Sequence, residues 1–229
     1  MLPIGDDNTG RTITPYINYL IIAVNIFVFV FFQGMGTNEA FLMSFSVVPQ
    51  EILGNTDIVG GGLGVTPVPV YGTILSAMFM HGSIAHIAGN MLYLWIFGDN
   101  LENAMGHKRY LIFYLLCGIL ATLAHVYMAS LTRSGLYVPS LGASGAIAGV
   151  LGGYILLFPK NRIRIFIIPF VIRVNAFVAL GLWIVFQVVD GMDALGREGG
   201  GVAYAAHVGG FIAGLFLAKF FINGSRSRF

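Results

Sequence analysis

The sequence predicts an all-α, polytopic membrane protein in which six transmembrane helices form a bundle around a short, central fourth helix. Composition carries the membrane assignment: 57% of the 229 residues are hydrophobic and 10% are charged, whereas soluble domains carry about 25% charged residues. The 31 glycines support it, because glycine is frequent in closely packed transmembrane helices. The expected partner is therefore the lipid bilayer, and a formal net charge of +2 gives no indication of nucleic acid.

The hydrophobic segments predict six spans, because about 20 apolar residues cross a ~30 Å hydrocarbon core. In chain order the spans are residues 16–33, 76–98, 109–130, 143–158, 175–189 and 202–222. The first span lacks a small-residue cleavage site, so we expect it to be retained rather than removed as a signal peptide. A long first outer loop (34–75) and a glycine-rich loop (190–201) join the spans. We predict that residues 1–229 form a single membrane-embedded domain.

The basic residues test this count, because Lys and Arg are enriched on the cytoplasmic side of membrane proteins. Of the 12 Lys and Arg residues, only Arg133 and Arg197 fall on the side away from the termini. The others lie on the terminal side: Arg11, Lys108, Arg109, Lys160, Arg162, Arg164, Arg173, Lys219, Arg226 and Arg228. We therefore predict cytoplasmic termini and a site that opens to the extracytoplasmic side. The bias fits a plasma membrane, and the absence of an Arg-rich transit segment argues against a mitochondrial location.

Polar side chains lie within the predicted spans, where ionisable groups are costly and usually face the bundle interior or a wet cavity. They include His81, His86 and Asn90 in the second span, Ser144 at the start of the fourth, and His207 in the sixth. Counted at ~1.5 Å per helical residue from the basic side, His86, Ser144 and His207 lie at about 20, 21 and 18 Å. They therefore share one layer, on the order of 10 Å below the outer edge of a ~30 Å core.

The fourth span starts inside the membrane, at Ser144, within the small-residue segment LGASGAIAG (141–149). The first N–H groups of that helix would be unpaired in lipid, so they must face protein or water. A helix N-terminus that faces water stabilises anions, which provides an oxyanion environment beside the serine hydroxyl.

Glycines recur every four residues on the fourth and sixth spans. They are Gly145, Gly149 and Gly153 on the fourth span, and Gly210 and Gly214 on the sixth. Such faces allow two helices to approach closely. If they meet, His207 comes within reach of Ser144 and can take its proton. His86 and Asn90 are spaced i and i+4, so they share one helix face, and both can donate hydrogen bonds to an oxyanion.

Each of these residues also has a purely structural interpretation. Ser144 suits the N-cap of a short helix, and His207 suits a hydrogen bond between packed helices. His86 and Asn90 are likewise compatible with interhelical hydrogen bonding in a scaffold. Two other function classes stay open: an inactive protein that binds membrane helices, and a transporter or channel. A transporter predicts polar residues through the full depth and often a repeated half, and the sequence has neither.

Three segments resemble the rhomboid family, in order and spacing, from about Ser76 to Ala218. GASGAIAG resembles the GxSG motif, HGSIAHIAGNMLYLWIFGDNLE resembles the second span with its HxxxN motif, and AHVGGFIAG resembles the histidine motif of the sixth span. Rhomboids are intramembrane serine proteases that use a Ser–His dyad. The resemblance implies an endopeptidase that cleaves transmembrane segments, with single-span membrane proteins as its substrates.

The resemblance also implies a set of site residues. These are catalytic Ser144 (nucleophile) and His207 (general base), oxyanion-binding His86, Asn90 and the backbone N–H of Ser144, and the motif glycines Gly142 and Gly145. It further matches Glu102, just after the second span, to a carboxylate with a structural role. We expect no metal and no other cofactor, because the histidine spacings do not form HExxH. The sequence carries no signal of the oligomeric state.

One family feature is absent, since rhomboids often carry Trp-Arg in the first outer loop and residues 34–75 contain neither residue. For substrate entry, we hypothesise that the fifth span and the glycine-rich loop after it form a lateral gate. The bulky side chains of Trp183 and Phe186 would close this gate. Trimming both to alanine or valine is expected to raise cleavage, and unchanged or lower turnover in a folded variant contradicts the gate.

Overall fold

The computed structural model describes residues 2–194 and 200–222, without the side chains of residues 193, 194 and 200–203. The described chain is mostly helical, with a small sheet at one end of the helical bundle. Three residues of the predicted charge asymmetry lie outside the described residues: Arg197, Arg226 and Arg228. Part of the glycine-rich loop, residues 195–199, also lies outside them.

The described helices are, in chain order, α1 (Tyr16–Phe27, continuing as a wider turn over Val28–Phe32), α2 (Glu39–Phe45), α3 (Pro49–Gly54), α4 (Thr73–Ser76), α5 (Ile84–Met105), α6 (His107–Thr132), α7 (Ser144–Leu157), α8 (Ala176–Ala194) and α9 (Gly200–Phe221). Two of them are long and apolar enough to cross a membrane: α6, and α9 over Tyr204–Phe221. Shorter apolar helices cover Tyr16–Phe32, Ser144–Leu157 and Ala176–Met192. The count of six spans therefore stays a prediction.

The second predicted span, residues 76–98, is wrong at both ends. The backbone is extended at Met80, and α5 begins only after Ser83, whose hydroxyl accepts the N–H of His86 at 3.1 Å. This side-chain cap fixes the start of the helix. The helix then continues past residue 98 to Met105, where Gly106 (φ +81°) turns the chain into α6. Hydropathy detects the length of an apolar segment, but it does not detect the cap at which a helix begins or the turn at which it ends.

Helix α7 lies at the centre of the bundle, because it packs against α5, α6, α8 and α9 and its residues 145–155 are all buried. Glycines bring α9 into backbone contact with it. A Cβ on Gly214 would lie 2.7 Å from the Cα of Gly149 and closer still to its carbonyl oxygen. A Cβ on Gly210 would lie 3.0 Å from the carbonyl carbon of Gly145. Since backbone atoms cannot rotate away, these positions accept only glycine.

The glycines of α7 also pack against α6. A Cβ on Gly145 would lie 2.7 Å from the Cβ of Ala121, and one on Gly149 would lie 2.7 Å from the Sγ of Cys117. Both of these neighbours are on α6. The predicted meeting of the α7 and α9 glycine faces is therefore confirmed, with Gly210 and Gly214 against Gly145 and Gly149, and the same α7 glycines lie against α6 as well.

A buried carboxylate anchors the start of α1. Pro15 precedes this helix and provides no side-chain cap. Glu102 of α5 instead accepts the backbone N–H groups of Ile17 and Asn18, at 3.0 and 2.7 Å. Glu102 also contacts His107 at the start of α6. One carboxylate thus joins three helices, through charge-assisted hydrogen bonds that are stronger than neutral ones.

Three antiparallel strands form a sheet in the order β1 (Leu2–Gly5), β2 (Arg162–Ile167) and β3 (Phe170–Asn175). The alternation RIRIFI in β2 has the two-residue period of a half-buried strand. Ile163 and Ile165 are buried against the helices, and Arg162 and Arg164, which alternate with them, are exposed. The all-α prediction therefore holds for the bundle but misses this sheet. We refer to the end of the bundle that carries the sheet as the basal end.

The long first outer loop is structured and holds the chain that leads into α7. Val47 and Ser140 exchange two backbone hydrogen bonds, at 2.9 and 2.8 Å. The N–H of Gly142 donates to the carbonyl of Ala77 at 2.8 Å. The segment before Ser144 is therefore fixed from both sides, at the end of α7 opposite the basal end.

Candidate active site

Ser144 and His207 are in direct contact, although 63 positions separate them in the chain. Ser144 is the first residue of α7, and His207 lies in α9. The Oγ of Ser144 lies 2.8 Å from the Nε2 of His207, which suits a serine hydroxyl that donates to a neutral imidazole. The backbone contact between α7 and α9 fixes this distance, because it holds the two helices in one register.

A cavity of about 190 Å³ lies beside this pair. His86, His125 and Gly142 line it together with Ser144 and His207. The cavity therefore gathers the predicted nucleophile, the predicted base and one predicted oxyanion donor. Among the described residues, no group of three or more His, Cys, Asp or Glu side chains is placed to hold a metal ion.

The backbone at the start of α7 presents N–H groups that precede the helical ladder. The first intrahelical bond runs from the N–H of Ile147 to the carbonyl of Ala143, at 2.9 Å, so the N–H groups of residues 144–146 come before it. Ala143 at the N-cap has no polar side chain to occupy them. Gly142 before it has φ +130°, a conformation that favours glycine. These N–H groups form the positive end of the helix dipole next to the serine hydroxyl.

His86 presents its Nε2 edge to the glycine that precedes the nucleophile. A Cβ on Gly142 would lie 3.1 Å from this Nε2. The Nδ1 of His86 accepts the N–H of Gly82 at 3.4 Å, and a neutral imidazole that accepts at Nδ1 carries its proton on Nε2. The ring of His81 packs edge-on behind it, with the centroids 5.1 Å apart. His86 is therefore oriented as a hydrogen-bond donor beside the cavity.

Asn90 is the predicted oxyanion donor that the structure does not place on the cavity wall. Its side chain is buried one turn further along α5. Its Nδ2 has no hydrogen-bond partner among the described residues. Its role as an oxyanion donor stays a prediction, and its amide is a buried donor next to His86 in the helix.

Gln187 of α8 is a site residue that the sequence analysis missed. Its Oε1 lies 2.5 Å from the Nδ1 of His207, on the opposite side of the imidazole from Ser144. The sequence signal for Gln187 is its amide within the apolar run LWIVFQVV, because polar groups in such runs usually face the bundle interior. His125 of α6 also lines the cavity.

The two residues of the hypothetical gate lie on α8, on one side of the site. The ring of Trp183 is 6.1 Å from that of His207, between centroids. Trp183 and Phe186 line a second cavity of about 340 Å³ together with Tyr93 and Phe97 of α5. They therefore lie where α8 faces α5, and their role as a gate stays a prediction.

Comparison with known proteins finds relatives in fungi, animals and bacteria. Rhomboid protein 1, mitochondrial, of Saccharomyces cerevisiae is 34% identical over 145 residues, covering 62% of this chain and 40% of that protein. Presenilin-associated rhomboid-like protein, mitochondrial, of Bos taurus is 29% identical over 198 residues (86% and 46%). Rhomboid protease GluP of Bacillus subtilis is 27% identical over 206 residues (89% and 34%). The chain spans less than half the length of these curated relatives.

The relatives correct the predicted location. The yeast protein and its mammalian counterparts are named as mitochondrial, which contradicts the plasma membrane predicted from the basic residues. The physical reason is that an asymmetry of Lys and Arg orients the spans relative to the side of insertion. It does not distinguish one membrane from another.

A family comparison covers the site itself. The model of the Rhomboid domain matches residues 70–224, which is well over half of the chain. The matched segment begins before α4 and extends beyond the end of α9, so it contains both Ser144 and His207. The chain therefore belongs to the rhomboid family.

Proposed function

We propose that the chain is an intramembrane serine endopeptidase, with Ser144 as the nucleophile and His207 as the general base. The observation that carries the proposal is the 2.8 Å contact between Oγ and Nε2 at the wall of a cavity. A serine that only capped α7 would need no imidazole on its hydroxyl. The relative named as a protease, from Bacillus subtilis, supports the same activity.

The acylation step uses both residues of the dyad, Ser144 and His207. The Oγ of Ser144 attacks the carbonyl carbon of the scissile peptide bond, and its proton passes to the Nε2 of His207. The imidazolium then donates that proton to the leaving amine nitrogen as the C–N bond breaks. Water hydrolyses the resulting ester: it gives a proton to Nε2 as it attacks, and Oγ recovers the proton when the acid product leaves.

The negative charge of the tetrahedral intermediate needs donors beside Oγ. The N–H of Ser144 and the Nε2–H of His86 are the groups we assign to it, with the Nδ2 of Asn90 as a further donor. Two of these donors are already oriented. The start of α7 orients the N–H of Ser144, and the hydrogen bond from Gly82 orients the ring of His86. Removing one such donor typically lowers the rate about 10²- to 10³-fold.

The membrane setting is part of the proposal. The chain acts as one membrane-embedded domain that crosses six times, through α1 with its continuation, α5, α6, α7, α8 and α9. The substrates are single-span membrane proteins, which enter past Trp183 and Phe186. Their helix must unwind locally, because an intact helix protects its carbonyl groups by hydrogen bonding. The relatives favour a mitochondrial membrane as the location.

A covalent probe and a single-span test substrate, both applied in detergent, test the proposal together. We expect a fluorophosphonate adduct on Ser144, located by mass spectrometry, and cleavage of the substrate within its membrane segment. Ser144→Ala is expected to lose both. Ser130→Ala is the matched control, because the hydroxyl of Ser130 donates to the Tyr127 carbonyl of its own helix at 2.7 Å. A wild-type protein that binds the substrate but neither reacts nor cleaves would be an inactive scaffold, and the proposal would be wrong.

A further inference from the structure

Three arginines lie on the exposed face of the β2–β3 hairpin at the basal end. Arg164 and Arg173 are directly opposite each other in the ladder, so their side chains leave the sheet on the same face. Arg162 lies two residues from Arg164, on that face as well. Like charges directly opposite each other destabilise a sheet. An anion between or above these arginines would offset that repulsion.

The described carboxylates nearest these arginines do not form ion pairs with them. The cavity that the three arginines line, of about 510 Å³, also contains Asp6 and Asp7, and both carboxylates accept hydrogen bonds from other groups. Asp6 accepts the hydroxyl of Tyr154 at 2.6 Å and the amide of Asn100 at 2.7 Å, and Asp7 accepts from Thr9. Burial raises the pKa of Asp6 to about 7, which weakens its charge near neutral pH. Within the described chain, none of the three arginines forms an ion pair.

The tip of the same hairpin is apolar and exposed. The exposed fractions are 42% for Ile167, 83% for Ile168, 69% for Phe170 and 53% for Val171. A contiguous exposed apolar patch marks a surface that contacts a membrane or another protein. Because the arginines border the patch directly, the hairpin has the composition of a segment at the boundary between headgroups and hydrocarbon.

We propose that the β2–β3 hairpin binds an anionic phospholipid: the three arginines hold its phosphate, and the apolar tip contacts its acyl chains. Arginine suits this role, because its planar guanidinium binds phosphate oxygens through two parallel hydrogen bonds. A free phosphate would engage the arginines and leave the tip in water. The lipid is therefore the ligand that matches both halves of the hairpin.

Titration of the purified protein with phosphatidylglycerol or phosphatidylcholine of matched acyl chains, read out by native mass spectrometry, tests the proposal. We expect the protein to prefer phosphatidylglycerol. Arg164→Gln combined with Arg173→Gln is expected to weaken that binding about tenfold or more, since each basic residue near an anionic headgroup contributes appreciably. Lys108→Gln combined with Lys160→Gln removes the same charge from exposed positions at the basal end and is expected to leave binding unchanged.

Three outcomes would overturn the proposal. If both double variants weaken phosphatidylglycerol binding equally, the binding depends only on the net charge of the protein. Equal binding of the two lipids would show that the headgroup charge is not recognised. Displacement of the lipid by inorganic phosphate, with no effect of Ile168→Ser on lipid binding, would show a site for free phosphate. Thermal unfolding of each variant establishes that the bundle is intact.

A second inference comes from Gln187 and rests on the proposed function. We infer that Gln187 is a positioning residue for His207. Its Oε1 accepts only from a protonated Nδ1, at 2.5 Å, so the neutral ring must leave Nε2 free to receive the proton of Ser144. In the described part of the chain, no carboxylate forms an ion pair with this imidazole, so the amide takes the role of orienting acceptor.

Two substitutions of similar size distinguish a role of Gln187 in orienting His207 from a role in packing alone. Gln187→Met removes the acceptor, and we expect kcat to fall about tenfold with KM unchanged. Gln187→Glu keeps an acceptor at the same length and is expected to retain most of the activity. If Gln187→Met keeps the wild-type kcat and the wild-type rate of reaction with the fluorophosphonate, the inference is wrong. A wild-type protein that does not react at all would instead contradict the proposed function.

Discussion

Replacing Ser144 or His207 with alanine is expected to reduce the rate of substrate cleavage by about 10³-fold or more, and replacing both is expected to reduce it no further. The reason is that the two side chains act as one unit. Without the imidazole, the hydroxyl keeps its proton, and without the hydroxyl, the imidazole has no nucleophile to activate. The measurement is the initial rate on a single-span substrate in detergent, for both single variants and the double variant.

The control for this comparison is Tyr204→Phe. The ring of Tyr204 lies 6.3 Å from that of His207, between centroids, so the variant alters a neighbour of the base and leaves the dyad intact. We expect its rate to stay within about threefold of the wild type, a change that corresponds to well under 1 kcal/mol. A Ser144→Ala or His207→Ala variant that cleaves nearly as fast as the Tyr204→Phe control would contradict the dyad.

Gly214→Ala is expected to destabilise the bundle by about 3 kcal/mol or more, because overpacked sites with no room to relax are at the upper end of such costs. The added Cβ would lie 2.7 Å from the Cα of Gly149 and closer still to the carbonyl group of that residue. All of these atoms belong to the backbone of α7. Relief requires α9 to move away from α7, which also separates His207 from Ser144. The measurements are the thermal unfolding midpoint, which should fall by roughly 10 °C, and the cleavage rate, which should fall with it.

Gly181→Ala is the matched substitution on α8. A Cβ there meets no atom within 4 Å, and alanine is favoured over glycine inside a helix by about 1 kcal/mol. We therefore expect an unchanged or slightly higher midpoint. If Gly214→Ala and Gly181→Ala behave alike, the contact between the α7 and α9 backbones does not hold the site together.

The sequence predicted the parts of the molecule that depend on local pattern. The apolar segments located most of the long helices, and the short fourth span placed Ser144 at a helix start. The glycine spacing predicted that α7 and α9 approach closely. The three motifs then indicated the pairing with His207, because rhomboid resemblance links residues that are distant in the chain.

The features that were missed depend on contacts between segments. Gln187 reaches His207 only because α8 is rotated with that side toward α9, and no local pattern reports this rotation. The hairpin was visible as the alternation of arginine and isoleucine from Arg162, but that signal was counted only as charge. The start of α5 was missed because Ser83 caps it with a single hydrogen bond, within a segment that is hydrophobic on average.

The position of Gln187 on α8 has a consequence for the order of events in the proposed mechanism. The same helix carries the proposed gate residues Trp183 and Phe186, so an outward movement of α8 to admit the proposed substrate would also withdraw the acceptor from Nδ1. In that proposed open state the imidazole of His207 would be less restrained, and it would regain its orientation only after α8 closes again. The proposed site would then be either open to substrates or ready for reaction, but not both at once. This would limit hydrolysis of membrane segments that contact the protein without binding in the site.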